Sequence, residues 1–256
     1  MSLFDLTGKK GLIIGIANDQ SIAYACAQAI VAQGAEIAIT YLNEKTKTYT
    51  QPLADQLNTK IFEPCDVSIE GSLEAVFDKL NQEWGKIDFV LHSIAFAPKE
   101  DLHARVTDCS EEGFNVAMNI SCHSFIRTAK LAEKLMTNGG CLLTVTFYGS
   151  ERVVEHYNMM GPVKAALESS VKYIAAELGK KDIRVHAISP GAIITRAASG
   201  IDRFDELLQR ASEQAPLHHH VHASNVGGLA AFLVSDEASK ITGTIIPVDG
   251  GQHIMA

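Results

Sequence analysis

The chain has 256 residues, 46% of them hydrophobic, and a formal net charge of −8 at pH 7. A chain of this length and composition can bury a large core within one α/β domain. The excess negative charge repels phosphate backbones and anionic lipid, which argues against nucleic acid or a membrane surface as the partner. We therefore expect a single domain that acts on a small molecule.

The sequence shows no transmembrane or export signal. No apolar run approaches the roughly 18 residues needed to cross a bilayer, and residues 1–5 lack the basic and apolar regions of a secretion signal. We expect a cytoplasmic protein.

The five cysteines are widely spaced without a Cys-x-x-Cys pair, so we expect reduced thiols and no metal site. The histidines within residues 218–222 leave a metal site as an alternative, although adjacent loop side chains rarely converge on one ion.

Short apolar runs alternate with segments of helical periodicity along the chain. The apolar runs predict strands buried on both faces, at residues 11–15, 35–41, 60–65, 87–92, 141–147, 183–189 and 244–248. Apolar residues three or four apart predict helices at residues 21–33, 72–84, 111–136, 157–178 and 224–234. This alternation indicates a doubly wound α/β domain with a seven-stranded parallel sheet and helices on both faces. Ligands bind such sheets beyond the carboxyl ends of the strands, where the strand order reverses.

Residues 190–223 form the longest stretch without a clear pattern. Long irregular segments in compact domains are usually functional, so we expect this stretch to form a lid over the substrate. An ordinary surface excursion with a short helix at residues 204–209 is the alternative.

The first predicted strand runs directly into a turn of small residues, 15–23, that opens a helix. The amino terminus of a helix carries unsatisfied backbone donors and partial positive charge, and Gly15 and Ala23 leave room for a pyrophosphate. The G-x-G-x-x-G fingerprint is absent, so a purely structural turn stays an alternative. Two further strands end at Asp66-Val67, suited to an adenine ring, and at residues 93–95, where small side chains let a cofactor lie along the backbone.

The segment after the second strand, Tyr41-Leu42-Asn43-Glu44, bears on the choice of cofactor. It lacks the arginine or basic pair that normally neutralises the 2′-phosphate of NADPH. NADH is therefore favoured, although Lys45 or Lys47 could reach round to a phosphate.

Tyr157 and Lys164 lie seven residues apart near the start of the predicted helix 157–178. Seven residues make two helical turns, which predicts that both polar tips share one face. A phenol can donate to a developing oxyanion, and a neighbouring ammonium favours that donor. An isolated pair of this kind is more often structural. This pair follows a nucleotide crevice, so we predict that both residues are catalytic.

Several segments together resemble the short-chain dehydrogenase/reductase superfamily and, within it, the enoyl-acyl-carrier-protein reductases of bacterial fatty-acid synthesis. They are residues 15–23, 65–67, 92–98, 157–164, 197–201 and 248–251, and the similarity extends nearly end to end. The six-residue gap between Tyr157 and Lys164 is the discriminating feature. Members that act on ketones and alcohols have a three-residue gap and a serine on the preceding strand, where this chain has Phe147 and Tyr148.

The resemblance implies one Rossmann-type domain over residues 1–256 that reduces the 2,3 double bond of enoyl thioesters with NADH. The thioester would be carried by acyl carrier protein or coenzyme A, and Tyr157 would stabilise the enolate. A homotetramer is also implied. The expected cofactor contacts are Gly15, Ala17, Ser21, Ile22, Leu42, Asp66, Val67, Ser93, Ile94, Ala95, Lys164, Ile193 and Thr195. The expected substrate contacts are Phe96, Ala97, Leu102, Phe147, Tyr148, Tyr157, Met160, Ala198, Ile201 and Phe204.

The chain also departs from its relatives. Many of them have a second tyrosine where this sequence has Phe147, which cannot hydrogen-bond. Residues 200–206 of the lid contain Arg203 as their only basic residue, which weakens the expected docking of an acidic carrier. Two other functions stay open: a short-chain dehydrogenase acting on a ketone or alcohol, and a non-catalytic nucleotide sensor, which retention of Tyr157 and Lys164 argues against.

Overall fold

A computed structural model of the protein describes residues 4–196 and 198–255. Seven strands form one fully parallel sheet in the order β3-β2-β1-β4-β5-β6-β7. The strands are β1 (Lys10–Ile14), β2 (Glu36–Tyr41), β3 (Ile61–Pro64), β4 (Phe89–His92), β5 (Gly140–Val145), β6 (Ile183–Pro190) and β7 (Thr244–Val248). All seven predicted strands and the doubly wound α/β fold are confirmed.

Helices cover both faces of the sheet. In the described ranges they are α1 (Ile22–Ala32), α2 (Glu44–Gln56), α3 (Ser72–Trp84), α4 (Lys99–His103), α5 (Glu111–Met118), α6 (Ser124–Leu135), α7 (Met160–Leu178), α8 (Phe204–Gln214) and α9 (Ala223–Val234). Not one of these helices is both long enough and apolar enough to span a bilayer. All five cysteines lie in the described part of the chain and all are free thiols.

Each face of the sheet has its own hydrophobic core, because successive residues of a strand point to opposite sides. Leu12 and Ile14 of β1 pack into the core formed with α3, α6 and α7. Ile13, between them, packs into the core formed with α1 and α9. Because all seven strands run parallel, their carboxyl ends lie along one edge of the sheet, and the candidate site lies at that edge.

Two helices differ from their sequence-based predictions. The sequence pattern missed α2 because its buried face is built largely from Thr46, Thr50 and Ala54, and because Pro52 lies inside it. The predicted helix 111–136 contains a π-helical turn at Asn119–His123, which separates α5 from α6. Such turns occur frequently at functional sites.

The start of α7 corrects the argument made for the tyrosine–lysine pair. The helix begins at Met160, and Tyr157 lies in the preceding turn, between His156 with φ 64° and Asn158 with φ 43°. A right-handed helix does not accommodate residues with positive φ, so it starts only after them. The prediction that Tyr157 and Lys164 share two turns of one helix is therefore wrong.

Candidate active site

The order of the sheet reverses between β1 and β4, and the two strand ends meet closely there. Gly15, directly after β1, has φ +111°, and a Cβ atom on it would lie 2.0 Å from the carbonyl oxygen of Ser93. The Ser93 amide in turn donates to the Ile14 carbonyl over 2.9 Å. Only glycine fits this position, so the two strand ends meet with no side chain of residue 15 between them.

Ser21 organises the turn that leads from β1 into α1. Its hydroxyl oxygen accepts from the amides of Ala17 and Asn18 over 3.0 and 3.1 Å. The next two amides, of Ile22 and Ala23, have no acceptor among the residues described by the structure. They are the free donors expected at a helix amino terminus, and Ile22 lines the cavity described next.

A cavity of about 700 Å³ extends from this crevice toward the predicted lid. It brings together most of the predicted cofactor contacts: Gly15, Ala17, Ser21, Ile22, Ser93, Ile94, Ala95, Lys164, Ile193 and Thr195. It also brings together most of the predicted substrate contacts: Phe96, Ala97, Leu102, Phe147, Tyr157, Met160, Ala198, Ile201 and Phe204. Both predicted sets thus line one continuous space.

Four predicted contacts do not line this cavity. Leu42, Asp66 and Val67 follow β2 and β3, farther along the same edge of the sheet, and the Asp66 carboxylate accepts from the Ser68 amide over 2.9 Å. Tyr148 is directed elsewhere: its hydroxyl accepts from the side chain of Gln252 over 3.1 Å. Ala197, in the lid segment of the resemblance, lies outside the described residues.

Tyr157 and Lys164 both line the cavity and are both buried. The ring of Tyr157 packs edge-on against Phe147, with 4.9 Å between the ring centroids. The ammonium of Lys164, from the second turn of α7, donates to the Val145 carbonyl at the end of β5 over 2.8 Å. Both residues therefore line one cavity, although Tyr157 lies in a turn and Lys164 lies in α7.

Burial lowers the pKa of Lys164 and raises the pKa of Tyr157. It lowers the pKa of the Lys164 ammonium to about 8, against an upward contribution from the Glu168 carboxylate and a smaller one from Cys122. It raises the pKa of the Tyr157 phenol well above its usual range, and the Glu168 carboxylate raises it further. Near neutral pH the site thus holds a neutral phenol that can donate and an ammonium that can lose its proton just above neutrality.

Among the residues that sequence reasoning missed are two buried polar groups that contact residues of the site. Glu168, one turn beyond Lys164, has a buried carboxylate that accepts from the hydroxyls of Thr146 and Ser150. Ser121, in the π-helical turn, accepts from the Phe96 amide over 2.9 Å and donates to its carbonyl over 3.0 Å. The signal for Glu168 is an acidic residue within the apolar stripe of α7, whereas nothing in the local sequence indicates the contact of Ser121.

Part of the segment predicted to form a lid lines the far side of the cavity. Ala198 and residues 200–204 line it, and α8 begins at Phe204 and is longer than the helix at 204–209 of the alternative interpretation. His103 at the end of α4 contacts the Gly200 carbonyl over 2.9 Å, and Asn158 donates to the Leu102 carbonyl over 2.8 Å. These contacts join α4, the Tyr157 turn and the lid segment around the apolar end of the cavity.

The chemistry available is that of an oxyanion site beside a nucleotide crevice. Across residues 4–196 and 198–255, no group of three or more His, Cys, Asp or Glu side chains is placed to hold a metal ion. Two donors that line the cavity are a neutral phenol and a buried ammonium, and groups of this kind can stabilise negative charge on an oxygen.

Comparison with known proteins identifies the family. The family model described as enoyl-(acyl carrier protein) reductase matches residues 15–253. Enoyl-acyl-carrier-protein reductase (NADH) 1 of Rhizobium meliloti is 46% identical and covers 97% of this chain and 91% of its own. The corresponding protein of Nostoc is 41% identical over 99% of each chain.

Solved structures agree with this assignment. The enoyl-acyl-carrier-protein reductase of Anaplasma phagocytophilum in complex with NAD has a TM-score of 0.94 at 49% identity, covering 98% of this chain and 96% of that one. The Bacillus cereus enzyme with NADP+ and indole naphthyridinone has a TM-score of 0.96 at 43% identity, covering 98% and 99%. The chain therefore belongs to the enoyl-acyl-carrier-protein reductase family.

Proposed function

We propose that this protein reduces the 2,3 double bond of trans-2-enoyl thioesters with NADH, in fatty-acid synthesis. The observation that carries the proposal is the single cavity in which Tyr157 and Lys164 meet the crevice at the strand-order reversal. Relatives at 41–46% identity that are named as NADH-dependent enoyl-acyl-carrier-protein reductases support it.

The residues present fit a dinucleotide cofactor. The close approach of Gly15 and Ser93 leaves backbone where a side chain would block it, and the amides of Ile22 and Ala23 can meet a pyrophosphate. Asp66 and Val67 stand farther along the same edge of the sheet, where the adenine end would lie, with Leu42 beside them. When bound, NADH supplies the hydride that reaches the β-carbon of the substrate.

The surroundings of β2 favour NADH over NADPH. Lys47, which could have met a 2′-phosphate, lies over the Tyr41 ring with its nitrogen 5.1 Å from the centroid and 3.7 Å from the Glu44 carboxylate. Glu44 itself would repel an added phosphate. A competition of NADH and NADPH for the enzyme should therefore favour NADH.

Tyr157 donates its phenolic hydrogen to the thioester oxygen as negative charge develops there in the enolate. Lys164 would hold the ribose of the bound cofactor, and its ammonium would stabilise that charge. Protonation at the α-carbon then completes the reduction. The high pKa of the buried Tyr157 phenol keeps it neutral, and so able to donate, over the whole physiological range of pH.

The acyl chain occupies the apolar end of the cavity. Phe96, Phe147 and Met160 line this end with Ala97, Leu102, Ala198, Ile201 and Phe204. Residues 190–223 act as the lid over it. Tyr148 is assigned no substrate contact, because its hydroxyl is directed to Gln252. The substrate is bound to acyl carrier protein or coenzyme A.

We also propose that the protein is a cytoplasmic homotetramer. Three helices on one face of the sheet carry exposed aromatic or branched side chains: Phe114 on α5, Ile126 on α6 and Tyr173 on α7. Large apolar side chains that are exposed on one helical layer are typical of a subunit interface.

An assay with two substrates tests the proposed reaction. Crotonyl and acetoacetyl thioesters are offered separately with NADH, and oxidation of NADH is followed. We expect turnover of the crotonyl thioester alone. Preferential reduction of the acetoacetyl thioester would indicate a carbonyl reductase, and tight NADH binding without turnover of either would indicate a nucleotide sensor.

A further inference from the structure

Glu168 is a charged group buried behind the proposed catalytic pair. Its side chain is on the sheet-facing side of α7, and the residue is 7% exposed. The hydroxyls of Thr146 and Ser150 both donate to its Oε1 atom over 2.6 Å. Burying a carboxylate costs free energy, so a buried carboxylate between β5 and α7 suggests that its charge has a role.

Glu168 and Lys164 both reach from α7 to residues at the end of β5. Lys164 binds the carbonyl of Val145, and Glu168 binds the hydroxyl of the next residue, Thr146. One helical turn separates the two α7 residues, so they dock consecutive positions of the strand end. This double attachment fixes where the Lys164 ammonium enters the cavity.

The second hydroxyl connects Glu168 to the tyrosine. Ser150 closes the short turn Tyr148–Ser150, in which Gly149 lies against the Tyr157 ring. A Cβ atom on Gly149 would lie 2.6 Å from Cδ1 of Tyr157, so ring and turn are in close contact. Glu168 therefore holds the surface on which Tyr157 rests.

The charges around Lys164 leave Glu168 as its main counter-charge within the described residues. His92, from β4, is neutral, because burial and the nearby Lys164 lower its pKa to about 3. Cys122, from the π-helical turn, is a thiol, because burial raises its pKa. Tyr157 is neutral for the same reason. The Glu168 carboxylate opposes the loss of the Lys164 proton that burial would otherwise cause.

We propose that Glu168 is a positioning residue for the reduction: its buried carboxylate keeps Lys164 in the ammonium form and ties the loop that supports Tyr157 to α7. This inference rests on the roles proposed above for Tyr157 and Lys164. Activity then depends on the Glu168 charge through the protonation state of Lys164.

The test is the pH dependence of kcat/KM for a crotonyl thioester at saturating NADH, between about pH 6 and 10. In the wild type we expect the alkaline fall in activity to be centred near pH 8, the pKa of Lys164. Glu168→Gln retains an acceptor for both hydroxyls and removes the charge. Its alkaline fall should move to lower pH by roughly one unit.

Three control variants separate charge from structure. Glu177→Gln removes an exposed charge from the same helix and should leave the profile in place. Glu168→Asp and Ser150→Ala retain the buried charge but weaken the attachment, so they should lower turnover while the alkaline fall stays within a few tenths of a pH unit of the wild type. Thermal unfolding confirms that each variant is folded.

Two results would overturn the inference. One is a folded Glu168→Gln enzyme whose profile coincides with the wild type; the other is a shift in Ser150→Ala as large as that in Glu168→Gln. Tyr157→Phe, measured alongside, separates this failure from a broader one. If Tyr157→Phe turns over slowly but the pH profile of Glu168→Gln matches the wild type, only the role of Glu168 is rejected. If Tyr157→Phe turns over as fast as the wild type, the proposed function and this inference are both rejected.

Discussion

At the scale of residues, the site depends on a few positions where backbone and side chain are both constrained. Tyr157 stands between two residues of positive φ, and its ring rests on a glycine. Lys164 enters from the first turns of a helix and reaches a strand carbonyl. Because the two groups are held by separate elements, the distance between them depends on the packing of α7 against β5 rather than on helical geometry.

Gly15→Ala should disrupt the nucleotide crevice. The added Cβ would lie 2.0 Å from the Ser93 carbonyl oxygen at a position whose φ is +111°. We expect unfolding to become easier by roughly 2–4 kcal/mol and NADH affinity to fall at least tenfold. Denaturant unfolding and titration calorimetry measure the two effects.

Gly8→Ala is the matched control, because Gly8 has φ +83° but open space around it. It carries the backbone strain without the clash, and should cost about 1 kcal/mol while NADH affinity stays unchanged. Equal NADH affinities in Gly15→Ala and Gly8→Ala would show that the close approach of β1 and β4 does not shape the cofactor site.

The sequence predicted the site residues well where the signal was local. The small-residue turn, the strand end at residues 93–95 and the Tyr157–Lys164 spacing identified residues that line the cavity, whereas Asp66 and Val67 at the end of β3 lie outside it. Ser121 was missed because its partner Phe96 is distant in sequence and no local pattern encodes such a contact. Glu168 interrupts the apolar stripe of α7, but that local signal does not reveal its partner Thr146 on another element.

At the scale of elements, the packing of α1 against α9 depends on small residues. Gly227 of α9 faces α1, where an added Cβ would lie 2.7 Å from the Ala25 carbonyl oxygen. Gly228, the next residue, faces open space. The amino end of α1 carries the turn proposed to hold the pyrophosphate, so this contact also supports the site.

Gly227→Ala and Gly228→Ala therefore have opposite expected effects on stability. We expect Gly227→Ala to lower the free energy of unfolding by roughly 1–3 kcal/mol through overpacking. Gly228→Ala should raise it by about 0.5–1 kcal/mol, since alanine loses less conformational freedom than glycine in a helix. Urea unfolding of both variants tests this, and similar values for the two would contradict the described contact.

Strands were predicted more completely than helices because a buried parallel strand is a continuous apolar run, which leaves little ambiguity. The helix α2 was missed because threonine and alanine form much of its buried face and Pro52 interrupts the pattern. The start of α7 was misplaced because apolar spacing continues into the preceding turn, whereas positive φ at His156 and Asn158 prevents the helix from starting before them. Hydrophobic periodicity carries no information about those dihedral angles.

At the scale of the whole molecule, one layer of helices remains incompletely covered. Tyr173 of α7 is 71% exposed although its helix contributes heavily to the core. In the proposed homotetramer this layer packs against neighbouring subunits.

Tyr173→Glu should therefore weaken assembly, because each interface would bury an unpaired charge. We expect sedimentation velocity to show smaller species than the wild type at micromolar concentration. Tyr49→Glu, on the exposed side of α2 in the opposite layer, should leave the sedimentation coefficient unchanged. A monomeric wild type, or equal behaviour of the two variants, would contradict the assignment of this face.

The proposed reaction depends on features at all three scales, because the sheet edge and the packed helices together place the two side chains in one cavity. The direct measurement is the kcat for NADH-dependent reduction of a crotonyl thioester by the wild type, Tyr157→Phe and the remote control Tyr49→Phe. Loss of the phenolic donor should lower kcat by roughly a hundredfold to a thousandfold, while Tyr49→Phe matches the wild type. A Tyr157→Phe enzyme that turns over within a few-fold of the wild type would contradict the account.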